Sequence, residues 1–280
     1  NAGSHEISVF AVRDDGLTLT DKVASGGERP ISVTTYKDLV YVLNAGGSGN
    51  ITGFTLGKRG QLTPIAGSTR ALSNGGAGAA PGPAQIEFSP DGEVLVVTEK
   101  ATNLIDTYAV GEDGVAGDAT SHPSSGVTPF GFDFTRRGTL IVSEAFGGAA
   151  DASAASSYAV SEDGFELISA SVPTNQTAAC WVVVTKNGKF AYTTNTGSGS
   201  ISAYRVSKGG SIELLNGQAG LTGAGSAPID AAVSGNSRYL YTLNAGAHTI
   251  TGFAVSADGG LSPIGGVGGL LAGAVGLAAR

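Results

Sequence analysis

The stretch LVYVLNAGGSGNITGFTLGKRGQL, Leu39 to Leu62, returns near the other end of the chain as YLYTLNAGAHTITGFAVSADGGL, Tyr239 to Leu261. Each copy holds an apolar strand that closes on an asparagine, a loop of small residues, a second strand carrying an aromatic, and a glycine turn. Weaker copies lie between. Anchored on the residue that closes the apolar strand, the series runs Asn1, Asn44, Glu99, Glu144, Asn195, Asn244, at intervals of 43 to 55 residues. A period of roughly 40 to 50 residues with about four strands per copy is that of a β-propeller blade, and helical solenoids of similar period lack such strands.

Outward from the anchors, each copy opens on a strand led by proline or a small residue: PISVTTY, PAQIEFS, PFGFDFT, ACWVVVT and PIDAAVS. Turns with Asp91-Gly92, Arg137-Gly138 and Asn187-Gly188 follow, glycine supplying the positive φ of a tight hairpin. The third strand reads ISVFAV, ITGFTL, IDTYAV, ASSYAV, ISAYRV and ITGFAV, with its aromatic at Phe10, Phe54, Tyr108, Tyr158, Tyr204 and Phe253. Alternation with a fixed aromatic is what stacked sheets need to interlock. No stretch sustains a helical period. The expectation is one all-β domain over residues 1–280, a β-propeller of four-stranded blades.

Five complete blades start at Pro30, Pro83, Pro129, Ala179 and Pro228. A strand pair remains before them and a lone inner strand, Ala274 to Ala279, after them. A propeller hides its sheet edges by building one blade from both termini. Two closures are open: a seven-bladed ring whose N-terminal part is absent from this chain, or six blades with the terminal strands sharing one. The chain contains no methionine, so the expectation is that residues have been removed ahead of Asn1, with an N-terminal fragment of the same precursor as an expected partner of the seven-bladed form.

The net charge of −7 and pI near 4.9 exclude nucleic acid and anionic membrane surfaces as partners, since both need a basic patch. No apolar run reaches about 18 residues, so no segment spans a bilayer. Cys180 is the only cysteine and can form no intrachain disulfide. His5, His122 and His248 fall in different repeats, so no metal site is expected. No serine elbow or phosphate loop is present, and no cofactor is implied.

The segments GPAQIEFSPDGEVLVVTE, NAGSHEISVFAV, APIDAAVSGNSRYLYTLN and GAVGLAAR resemble the bacterial lactonase-type β-propellers, relatives of 6-phosphogluconolactonase and 3-carboxymuconate cyclase. The resemblance covers the whole chain. It implies seven blades, an export signal upstream, and hence a secreted or periplasmic location. Enzymes of the family carry a histidine in a G-P-x-H pattern at an inner strand, with Arg and Glu nearby. Here Gly82-Pro83-Ala84-Gln85 is the best match, and Gln85 stands in the histidine's place; the other repeats hold Ser32, Gly131, Trp181 and Asp230 there.

The anchors and the residues preceding each inner strand share one end of the blades, and convergent polar groups at a concave mouth are a binding-site expectation. Glu99 and Glu144 break the asparagine series in consecutive repeats, and paired carboxylates divide acid and base work. The expected reading is a lactonase-like hydrolase of a small neutral lactone or ester, with Glu99 or Glu144 activating water and Arg29, Asn44, Gln85, Asn195 and Trp181 holding the substrate. The competing reading is an exported non-catalytic propeller that binds a glycan, peptide or protein. A structural role competes at each position: an anchor side chain can bond within its own loop, and Cys180 and Trp181 can fill space on an inner strand.

Overall fold

The computed structural model describes residues 1–279, which group into two compact units that divide between Pro123 and Ser124. In the first unit, β1 (Glu6–Arg13) and β2 (Gly16–Ala24) form a two-stranded hairpin. The next blade holds β3 (Pro30–Tyr36), β4 (Leu39–Asn44), β5 (Asn50–Leu56) and β6 (Leu62–Pro64), with β7 (Arg70–Ala71) paired to the start of β5. A second blade follows with β8 (Pro83–Phe88), β9 (Val94–Glu99), β10 (Leu104–Ala109) and β11 (Thr120–Pro123).

The second unit contains three four-stranded blades. The first is β12 (Pro129–Phe134), β13 (Thr139–Glu144), β14 (Ala154–Ser161) and β15 (Gly164–Pro173), with a 3-10 turn at Phe146–Gly148. The second is β16 (Ala179–Val184), β17 (Phe190–Asn195), β18 (Ser200–Val206) and β19 (Ile212–Leu221). The third is β20 (Pro228–Val233), β21 (Tyr239–Asn244), β22 (Thr249–Val255) and β23 (Leu261–Gly268). Strands in every blade are antiparallel and joined in sequence order. The described residues contain no α-helix, and therefore none long and apolar enough to cross a membrane.

The expected strands are all present except one: 274–279 forms no strand. Asn1 lies ahead of β1, outside any strand. The third-strand aromatic is buried in the five blades, at Phe54, Tyr108, Tyr158, Tyr204 and Phe253. Phe10 is 49% exposed; β1 and β2 pack on the next blade through Ile7, Val9 and Val23, with Asp21 Oδ2 accepting from Leu62 N at 2.8 Å.

Tyrosines tie blade to blade inside each unit. The Tyr41 hydroxyl donates to Gly114 O at 2.8 Å and accepts from Ala116 N, and Tyr192 repeats the contact on Gly259 O at 3.0 Å. Around them, Leu43, Ile86, Leu95 and Val97 fill the first unit's core, and Val183, Ile201, Leu240 and Phe253 part of the second's. Burying such side chains contributes about 1.5–3 kcal/mol each.

Candidate functional site

All five blades build their anchor end the same way. The residue just before the first strand takes positive φ: Arg29 54°, Gly82 69°, Thr128 61°, Ala178 57° and Ala227 50°. Four of these are not glycine, and the left-handed conformation costs them about 1 kcal/mol apiece. It turns their carbonyls to accept the N–H of the residue after the anchor, from Ala45, Lys100, Ala145, Thr196 and Ala245, at 2.9–3.0 Å. Immediately beyond, the register between first and second strands slips, between Pro30 and Ser32, Pro83 and Ile86, Pro129 and Phe132, Ala179 and Val182, and Pro228 and Asp230. Bulges of this kind re-aim side chains.

The anchor side chains are latches. Asn195 Nδ2 donates to the hydroxyls of Ser200 and Ser202 at 3.0 and 2.9 Å, and Asn244 Nδ2 to Thr249 and Thr251 at 3.0 and 2.8 Å. Asn44 Nδ2 reaches Asn50 Oδ1 at 2.8 Å and Ser25 O at 3.2 Å. At the exposed N-terminus, Asn1 Nδ2 makes the same contact with Ser8 Oγ at 2.7 Å. For Asn1, Asn195 and Asn244 a partner is the third residue of the third strand, whereas Asn44 bonds Asn50, the first; the third-residue column reads Ser8, Thr52, Asp106, Ser156, Ser202, Thr251.

Glu144 fits this latch. Its carboxylate accepts from Ser156 Oγ at 2.5 Å, Gly126 N at 2.8 Å and Ser171 Oγ at 2.7 Å. A Cβ on Gly126 would collide with that carboxylate, which accounts for the glycine three residues before Pro129. Burial pushes Glu144 upward, and the two serines and the Gly126 N–H pull it back.

Glu99 is different. Ser73 bonds it twice, N–H at 3.1 Å and Oγ at 2.5 Å, and Thr102 Oγ1 donates at 2.6 Å. The third-strand partner is Asp106, fully buried, whose Oδ1 accepts from Ser121 at 2.6 Å. Asp106 Oδ2 has no hydrogen-bond partner, and the Glu99 carboxyl is its like-charged neighbour. Two carboxyls held close together favour a proton on one of them. Burial, reinforced by Glu99, pushes Asp106 up to about 7. Ser73 is half-buried and Thr102 exposed, so two hydroxyls connect this pair to solvent. Tyr108, on the same strand, is also pushed upward by burial and by the charges of Asp106 and Glu99.

The profile of the family described as "Lactonase, 7-bladed beta-propeller" matches residues 1–145 and 144–267. The chain belongs to this family of lactonase propellers. No curated protein matches it in sequence. A putative 6-phosphogluconolactonase from Bacteroides uniformis superposes with TM-score 0.77 at 19% identity, over 95% of this chain and 79% of that one. A protein from Lactobacillus plantarum gives 0.76 at 18%, over 96% and 80%. The periplasmic gluconolactonase of Pseudomonas aeruginosa gives 0.69 at 19%, over 94% and 83%. At such identities the likeness is one of fold.

Where enzymes of the lactonase family are expected to carry histidine, this chain places bulge residues such as Gln85, Ser32 and Asp230, which bond within the strand, to the next inner strand and to the strandless C-terminal segment respectively. Gln85 is buried and its Nε2 donates to Glu87 at 3.2 Å. Ser32 Oγ accepts from Ile86 N at 3.2 Å, and Asp230 Oδ2 from Leu277 N at 2.8 Å. Burial pushes Asp230 up to about 6 against the pull of the Ala231 and Leu277 N–H groups. Trp181 is half-buried, and a Cβ on Gly131 would strike it. Cys180 is buried, its thiol 3.4 Å from Ile229 O.

Of the other expected residues, Arg29 is exposed and holds Ala45 O at 3.3 Å, and Lys100 Nζ holds Pro83 O at 3.1 Å. Arg29, Asn44, Gln85 and Glu99 belong to the first unit; Glu144, Trp181 and Asn195 belong to the second. Sequence reasoning missed Asp106, Ser73, Thr102 and Ser121. Aligning the third strands would have exposed Asp106 as the one acid in a column of hydroxyls.

Proposed function

We propose that this lactonase-family chain hydrolyses a small neutral lactone or ester at the anchor end of β9 and β10, with Glu99 as the base and Asp106 as the acid. The observation that carries the reading is the Glu99–Asp106 pair, because an acid near neutral beside a second carboxyl is the pairing that divides proton work. A water adds to the lactone carbonyl and its proton passes to Glu99 through the hydroxyl of Ser73 or Thr102. The ring C–O bond breaks, and the alkoxide takes the proton held by Asp106. One water is consumed and a hydroxy acid leaves. Lys100 and Arg29 are the cations of this unit's anchor end that favour the developing oxyanion, and Asn44 and Gln85 are its polar wall. Glu144, Asn195 and Trp181 belong to the second unit, where Glu144 lacks a second carboxyl and is the weaker candidate base. The periplasmic neighbour supports an exported location.

A panel of neutral lactones and aryl esters, assayed against wild type, Glu99→Gln, Asp106→Asn and Glu144→Gln, tests this. Loss of turnover in the first two with Glu144→Gln retaining activity is the expected pattern. Equal rates in all four remove the assignment. The burial of both carboxyls and the glutamine at position 85 favour the second reading, a non-catalytic exported binder, and no turnover by wild type on any substrate would select it.

A further inference from the structure

The end of the blades opposite the anchors differs between the units. In four of the five blades the turn joining first and second strands starts on a Ser or Thr whose Oγ accepts a backbone N–H, and in three of these the side chain two residues further on supports it. In Ser89-Pro90-Asp91-Gly92-Glu93, Ser89 Oγ bonds Asp91 at 2.5 Å and accepts from Val94 N, and Asp91 also takes Glu93 N. In Thr185-Lys186-Asn187-Gly188-Lys189, Asn187 Oδ1 takes Thr185 Oγ1 at 2.8 Å and Lys189 N at 3.0 Å. Asn236 does the same with Ser234 Oγ and Arg238 N. An aspartate therefore serves this turn as well as asparagine does. Yet the three such turns of the second unit hold no acid and carry Arg136, Arg137, Lys186, Lys189 and Arg238.

Two of these turns enclose a cavity of about 270 Å³ with the β18–β19 turn, lined by Arg136, Arg137, Lys186, Lys208, Asn187 and Thr135. Thr139, Gly188 and Ser207 complete the lining, which holds no carboxylate side chain. Thr135 Oγ1 already accepts from Arg137 N and Thr139 N at 3.4 and 3.1 Å, which leaves its O–H to give. Asn187 has spent its oxygen in the turn, so its amide N–H₂ is what remains. Among the described residues, ion pairs occur at Lys22–Glu6 and Arg70–Asp118, and none involves the four cations here. Asp133, the carboxylate on β12, is engaged by Phe134 N and Val184 N at 2.8 and 2.6 Å.

Four cations without an ion pair converge on one concavity in a chain of net charge −7, and like charges gathered in a cleft favour the entry of an anion. We infer that this cavity binds a small polyvalent oxyanion of the phosphate-ester class, held by the forked guanidiniums of Arg136 and Arg137, the ammonium groups of Lys186 and Lys208, and the neutral donors of Asn187 and Thr135. Guanidinium forks match tetrahedral oxyanions in pairs of hydrogen bonds. The site is separate from the lactonase reading and does not depend on it.

Inorganic pyrophosphate is the probe, titrated calorimetrically into the full chain at low salt, with citrate as the carboxylate comparison. Saturable binding is expected, tighter for pyrophosphate than for citrate. Asn187→Asp keeps the turn, as Asp91 shows, but places a negative charge in the cavity. It should weaken pyrophosphate binding at least about tenfold, which corresponds to about 1.4 kcal/mol, with an unchanged melting temperature. Arg137→Gln/Lys186→Gln should weaken it as much, while Lys58→Gln/Arg59→Gln, which removes the same charge from the β5–β6 turn, should leave it within about twofold, as screening of distant exposed charges requires. No saturable heat with pyrophosphate, equal affinity in Asn187→Asp and wild type, or equal losses in the two double variants overturns the inference, as does tighter binding of citrate.

Discussion

The Glu144 and Glu99 latches occupy the same position in consecutive blades and carry the same side chain, yet they are different chemical objects. Glu144 meets Ser156, Ser171 and the Gly126 N–H, all donors, and is a satisfied buried carboxylate. Glu99 meets Ser73 and Thr102 on one side and Asp106 on the other. What changes is one residue on the neighbouring strand, a carboxyl where the other blades have a hydroxyl. A buried group's behaviour is set by the partner facing it, and that partner lies seven residues away from Glu99 in sequence but one strand away in space.

The largest effect is expected on the satisfied side. Glu144→Leu strands a backbone N–H and two hydroxyls in a buried pocket, at about 1–3 kcal/mol per orphaned group, so urea denaturation should show a loss of roughly 3–5 kcal/mol. A loss below about 1 kcal/mol would mean that Glu144 is not the latch its hydrogen bonds describe.

Next is the pH dependence of the Glu99 side. Asp106 sits at about 7 in the fold against an ordinary 3.8, so the folded chain holds a proton that the unfolded chain has released. Its contribution to stability is complete below about pH 4, falls by about 1.4 kcal/mol per pH unit as the unfolded form ionises, and is lost once pH passes about 7. Asp106→Ser restores the hydroxyl of the repeat. It should remove this slope and raise stability at pH 8 by roughly 1–3 kcal/mol, as expected when an unpaired buried charge is removed. Parallel melting curves for wild type and variant from pH 5 to 8 would break the comparison.

Glu99→Gln sharpens it. The amide can donate to Asp106, so the Asp106 titration should move down toward the usual carboxylate range, at a net stability change of about 1 kcal/mol. Carboxyl-region infrared or NMR titration reads the shift directly, and a midpoint left near neutrality would show that burial alone sets it. The smallest effect belongs to the exposed copy: Asn1→Ala removes the bond to Ser8 in an exposed turn and should cost less than about 0.5 kcal/mol in chemical denaturation.

The repeat, and with it most of the fold, was legible along the chain. Apolar alternation, glycine turns and a recurring aromatic are local signals, and each of the five blades appears where they put it. They could not show that Phe10 would be exposed, because burial of a blade face depends on the sheet opposite it. Nor could they show that 274–279 would stay out of a strand, since pairing is a property of two segments. The anchors were legible as a series. That they are latches was decided by the third strand folding back beside them and delivering Ser156 to Glu144 and Asp106 to Glu99. The basic cavity was decided the same way: Arg136 and Lys186 are 50 residues apart in the chain, and stacking of one blade on the next sets them around one space. Sequence carries what neighbours along the chain impose, whereas proton affinity and electrostatic focusing follow from neighbours in space.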